Sequence, residues 1–124
     1  MARVLAIGGV FFKARDPQAL RAWYAEHLQM PADDYGASLK PGNFPAGGYT
    51  QWSPFAADTN YFAPSSQPFM INFIVDDLDA ALDQVRRGGA QVMPNQEQDE
   101  YGQFGWFIDP DGNKVELWVP PTPA

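Results

Sequence analysis

The chain contains no cysteine. That excludes disulfides, thiolate metal sites and a cysteine nucleophile, and it is consistent with the cytoplasm, the compartment expected here. Histidine occurs once, at His27. A lone His has no ligand-spaced partner, so it reads as a helix-end residue near the negative end of the dipole rather than a metal ligand. Basic residues are scarce: 8 Lys and Arg stand against 15 Asp and Glu, for a net charge of −7. Phosphate contacts need a basic face, so nucleic-acid binding is not expected. Long apolar runs are missing too. Val4–Phe12 is too short and too broken by Gly8-Gly9 to cross a membrane, and it lacks a signal-peptide layout. It reads as a first strand. No G-x-G-x-x-G or Lys-Ser/Thr sequence follows Gly8-Gly9, which excludes a phosphate loop.

Aromatic residues, in contrast, are abundant. They make up 15% of the 124 residues and include four Trp, more flat apolar surface than a small core needs. The length suits one domain, 1–124, burying roughly two-thirds of its unfolded surface.

The most informative stretch is Tyr101–Pro120, YGQFGWFIDPDGNKVELWVP. Two apolar runs flank Asp109-Pro110-Asp111-Gly112-Asn113. Pro presets φ, and Gly and Asn tolerate positive φ, so this is a hairpin turn whose Asp109 and Asp111 are turn formers. Side chains alternate along a strand. Val115, Leu117 and Val119 therefore share one face, and Lys114, Glu116 and Trp118 share the other.

Two segments repeat one grammar at an offset of 61 residues. In the first, Val10-Phe11-Phe12 precedes Asp16, and Leu20, Trp23, Tyr24 and Leu28 follow at helical spacing. In the second, Ile71–Val75 precedes Asp77, Leu78, Leu82 and Val85 follow, and Gly88-Gly89 ends the helix. Strand-like sequence closes each unit, at Tyr49–Trp52 and at Phe104–Val119. The pattern predicts two tandem modules, about 1–57 and about 67–120, joined by a linker of about 58–66. Met30–Pro68 is rich in Pro and Gly, resists regular helix, and carries enough aromatics to wrap the surface or lid a cavity. Glu97-Gln98-Asp99-Glu100 reads as a solvated loop.

The tandem units, the DPDGNKVELW hairpin and the opening GGVFFKARDPQALRAWYAEHL resemble the vicinal oxygen chelate superfamily. That group includes glyoxalase I, bleomycin-resistance proteins, fosfomycin-resistance proteins and extradiol dioxygenases. The resemblance implies an α+β fold: two βαβββ modules form a curved mixed sheet around a cavity, with helices on the outer face. It also implies a homodimer. Metal-dependent members place ligands at four cavity positions. Carried over, two fall on Gly9 and Met70, a third on Thr50 or Gln51, and the last on Glu116. Glycine has no side chain, and a thioether is a poor ligand for hard or borderline cations. One Glu with a possible Gln falls short of the three protein ligands of a catalytic zinc site. No metal and no cofactor are therefore expected.

If Gly9 and Met70 face the cavity, alternation adds Phe11, Lys13, Asn72 and Ile74 to its wall, and Trp106 and Ile108 join Glu116 and Trp118. The expected ligand-contacting set is Phe11, Gln51, Trp52, Met70, Asn72, Trp106, Glu116 and Trp118. Glu116 pairs either with Lys13 or Lys114, or with a ligand. Asn72 needs a partner if buried, in Gln51, backbone or ligand. A mostly apolar wall with a few placed polar groups suits a small, partly aromatic organic molecule. Three functions compete. The first is metal-independent binding of such a molecule. The second is a lyase, isomerase or dioxygenase with Glu116 as general base. The third is a non-catalytic module with a vestigial cavity.

Overall fold

The computed structural model describes residues 1–3 and 5–122. Helix α1 spans Pro17–Leu28, strand β1 Ile71–Ile74, helix α2 Leu78–Arg87, and strands β2, β3 and β4 span Gln91–Asp99, Gly102–Ile108 and Lys114–Val119. The sheet runs in the order β1-β4-β3-β2. β1 lies parallel to β4, and the other pairings are antiparallel. The fold is α+β, a curved mixed sheet with both helices on one side.

Both helices start alike. Asp16 accepts a hydrogen bond from the Ala19 amide, and Asp77 accepts one from the Ala80 amide, each at 3.0 Å. Each aspartate satisfies a donor that the first helical turn leaves free. Pro17 then supplies a preset φ at the first helical position of α1. Leu20 and Tyr24 of α1 and Leu78, Ala81, Leu82 and Val85 of α2 bury their apolar stripes against Phe107, Val115 and Leu117. The helices join where the Trp23 indole donates to the Gly88 carbonyl at 2.9 Å and Gln84 Nε2 donates to the His27 carbonyl at 3.0 Å. His27 belongs to this seam, at the end of α1.

The β3–β4 turn closes as its composition predicts. The Asp109 amide donates to the Asn113 carbonyl at 2.8 Å, and Gly112 takes φ +82°. Asp109 is buried and accepts hydrogen bonds from Tyr24 Oη and from the backbone amides of Asp111 and Asn113. Arg15 grips the outside of the turn, with Nε 2.7 Å from Asp111 Oδ1.

The first half departs from expectation. Residues 5–13 and 49–52 form no strand, and Val4 of the expected first strand lies outside the described residues. Among the described residues the span expected as the first module holds one α-helix and a 3-10 turn at Pro41–Asn43, and the span expected as the second holds a full βαβββ unit. A strand exists only through a partner, and neither sheet edge, β1 or β2, pairs with these segments. Gly8-Gly9 adds backbone entropy to the cost of ordering the first, and Pro45 and Pro54 flank the second. Phe11 accordingly stands 96% exposed. A second correction concerns Glu97–Asp99, expected as loop. They belong to β2, where Glu97 pairs with Phe104. An edge strand with solvated side chains carries a polar sequence that looks like loop, and its register shifts between Val92 and Gln96, around Pro94.

Candidate functional site

The sheet has one face under the helices and one free of them. On β4, Val115 and Leu117 go under the helices, and Lys114, Glu116 and Trp118 project from the open face. Register decides the neighbours of Glu116. Asn72 of β1 stands beside it on one flank and Trp106 of β3 on the other. Such directly opposed side chains lie within reach of each other. Asn72 Nδ2 donates to Glu116 Oε2 at 2.7 Å, and Trp106 Nε1 donates to Oε1 at 3.1 Å. A third donor comes from above the sheet. Tyr61 Oη, in the loop before β1, donates to Oε1 at 2.7 Å. One carboxylate thus holds three strands and a loop together through an amide, an indole and a phenol.

Lys114 completes the group without pairing with Glu116. Its Nζ donates to the Tyr61 carbonyl at 2.7 Å and lies 5.3 Å from the Tyr61 ring centre and 5.8 Å from that of Trp106. The ammonium sits against two aromatic rings, an attractive arrangement worth about 0.5–2 kcal/mol. Burial lowers the Lys114 pKa, and the Glu116 charge partly opposes that. The Tyr61 phenol is pushed upward, by burial first and by its hydrogen bond to Glu116 second. It remains a donor throughout the neutral range.

The aromatic wall continues along the face. Tyr61 stacks on Phe55, with centroids 5.5 Å apart and planes at 26°, and meets Trp106 edge-on at 6.2 Å. Trp118 is buried beneath Tyr49, edge-on at 5.0 Å, and its indole donates to the Tyr101 carbonyl at 2.7 Å. Phe104 stacks alongside it, with planes at 9°. Trp106 and Trp118 are 2% and 5% exposed, so the loop covers the indoles and leaves Asn72 accessible.

Of the eight residues expected to contact a ligand, the structure brings Asn72, Trp106 and Glu116 into direct contact. Trp118 shares their face, two residues beyond Glu116 on β4. Met70 immediately precedes β1 and is half-buried. Phe11, Gln51 and Trp52 stand apart: Phe11 and Trp52 are strongly exposed, and Gln51 Nε2 donates to Ser53 Oγ. Among the described residues neither Lys13 nor Lys114 forms an ion pair with Glu116, one of the two partnerships considered for it, and three neutral donors hold its oxygens instead. Tyr61 went unforeseen as a site residue. It lies 55 residues from Glu116 in a loop without strand or helix periodicity, and the richness of that loop in aromatics is its one sequence signal. Two hollows of about 230 and 280 Å³ lie elsewhere, beside α1 and at the α1–α2 seam.

Among the described residues no group of three or more His, Asp or Glu side chains comes close enough together to hold a metal ion. No helix there is long and apolar enough to cross a membrane.

The fold has solved counterparts. An integron cassette protein from the mobile metagenome of V. cholerae superposes with a TM-score of 0.53 at 20% identity, over 94% of this chain and 98% of that one. TnmS3, an antibiotic-binding protein from a Streptomyces species, superposes with a TM-score of 0.54 at 20% identity, over 95% of this chain and all of that one. No curated protein matches. The model of the glyoxalase-like domain matches residues 9–118, a span that takes in both helices and the Glu116 face, and the chain belongs to the glyoxalase-like domain family.

Proposed function

We propose that the protein binds a small, partly aromatic molecule on the open face of its sheet, without a metal, as a homodimer. The observation that carries this reading is the Glu116 carboxylate, set centrally among aromatic rings and held by the neutral donors of Tyr61, Asn72 and Trp106. A carboxylate surrounded by rings can orient a ligand's hydrogen-bond donor while the rings cover its flat faces. The antibiotic-binding role of TnmS3 supports the same direction.

The donor set does not fit a divalent cation. An indole N–H cannot coordinate a metal, and an amide that donates through nitrogen offers nothing to one at that atom. Gly9 brings no side chain, and Met70 brings a thioether. Dimer formation is supported by Leu5, Val10, Phe11 and Phe12, apolar side chains near one another in sequence that all stand exposed.

Native mass spectrometry after chelator treatment tests these points together. The expected spectrum shows twice the 13.8 kDa chain mass, no metal, and saturable adducts with members of an aromatic panel. Asn72→Ala and Glu116→Gln should weaken those adducts. Adducts that require added zinc or manganese, or that ignore both substitutions, would contradict the reading.

A further inference from the structure

Tyr61 occupies the open face in the manner of a bound ligand. Its ring stacks on Phe55 and meets the edge of Trp106, Lys114 lies over it, and its hydroxyl donates to Glu116 Oε1. The loop carrying it is built from local turns, with backbone bonds from Thr59 to Ala56, Ala63 to Asn60 and Ser65 to Phe62. Among the described residues, the hydrogen bonds tying this loop to the sheet are those of Tyr61 Oη to Glu116 and of Lys114 Nζ to the Tyr61 carbonyl. Segments held this lightly open at low cost.

We infer that the face accepts an aromatic hydroxyl compound in place of the Tyr61 side chain, with Tyr61 acting as a built-in competitor. This deepens the small-molecule reading and rests on it. A phenol reproduces the contacts that the Tyr61 ring and hydroxyl make with the sheet. Its hydroxyl donates to Glu116, its ring meets Trp106, and Lys114 covers its face. An aryl ether of the same shape offers Glu116 no donor, and the carboxylate then loses a partner it holds in the unliganded protein. Binding therefore selects for the hydroxyl.

The test is isothermal titration with 4-methylphenol and with 4-methylanisole as its donor-less counterpart. The phenol should bind about tenfold more tightly than the ether, the worth of one hydrogen bond to a charged group. Tyr61→Phe removes the internal donor and keeps the ring, so it should raise 4-methylphenol affinity by up to about tenfold. Glu116→Gln should shrink the difference between phenol and ether. Equal affinities for the two compounds, or no gain in Tyr61→Phe, would overturn the hydroxyl assignment. If the ether and phenol bind equally and both perturb the Trp106 indole, the small-molecule reading stands without this refinement. If no aromatic compound binds the face at all, both fall.

Discussion

Asp109 and Glu116 sit on the same hairpin in opposite surroundings. Asp109 is buried under the helices, where Tyr24 Oη donates to it at 2.8 Å and the turn amides saturate it. Its work is structural: it locks the turn and anchors α1 to it. Glu116 is half-buried on the other face, and one of its donors arrives on a loop. The difference has a consequence in alkali. Burial, and after it Asp109, hold the Tyr24 phenol well above its ordinary value. The unfolded chain gives up that proton at about pH 10, before the folded protein does. Stability from Tyr24 is thus fully present below about pH 10 and is lost as pH rises beyond it. Tyr61 acts in the same direction, and Lys114, lowered by burial, acts in the opposite one. In urea unfolding, Tyr24→Phe should lose less stability between about pH 9 and about pH 11 than the parent does. An equal loss would show that Tyr24 carries none of the alkaline sensitivity.

At the scale of elements, the seam between α1 and α2 depends on one residue without a side chain. A Cβ at Gly88 would lie 2.7 Å from Cγ of His27, and the Gly88 carbonyl accepts the Trp23 indole. Gly88→Ala should therefore cost about 1–3 kcal/mol through overpacking, seen as a lower urea midpoint at unchanged slope. A neutral outcome would mean that the His27 ring can swing clear. The elements legible in the sequence were those whose signal is local. The helices announced themselves through Asp16 and Asp77 and through apolar residues at helical spacing. The β3–β4 hairpin did so through its turn and its alternation. The strands expected at Val4–Phe12 and Tyr49–Trp52 had apolar pattern but depended on a partner that the pattern does not supply. β2 was hidden for the converse reason: its partner β3 gives it structure, and its solvated side chains give it the composition of a loop.

For the whole molecule, topology makes the site. Parallel pairing of β1 with β4 brings Asn72 beside Glu116, 44 residues apart, and the antiparallel hairpin brings Trp106 to the other flank. Alternation along each strand, with the family resemblance setting Met70 toward the cavity, puts these three on one face. Tyr61 could not be placed that way, because no period governs a Pro- and Gly-rich loop. The family's curved sheet is present, and its open face is held by a carboxylate among neutral donors. The Trp106 indole N–H touches that carboxylate and reports on it directly. The decisive measurement is the Trp106 Nε1–H resonance in a ¹H–¹⁵N correlation spectrum, followed while aromatic compounds are titrated into chelator-treated protein. Saturable movement of that resonance, shifted to higher ligand concentration in Glu116→Gln, is the expected result. A resonance that stays fixed while compounds bind elsewhere, or that moves only once a divalent metal is added, would contradict it.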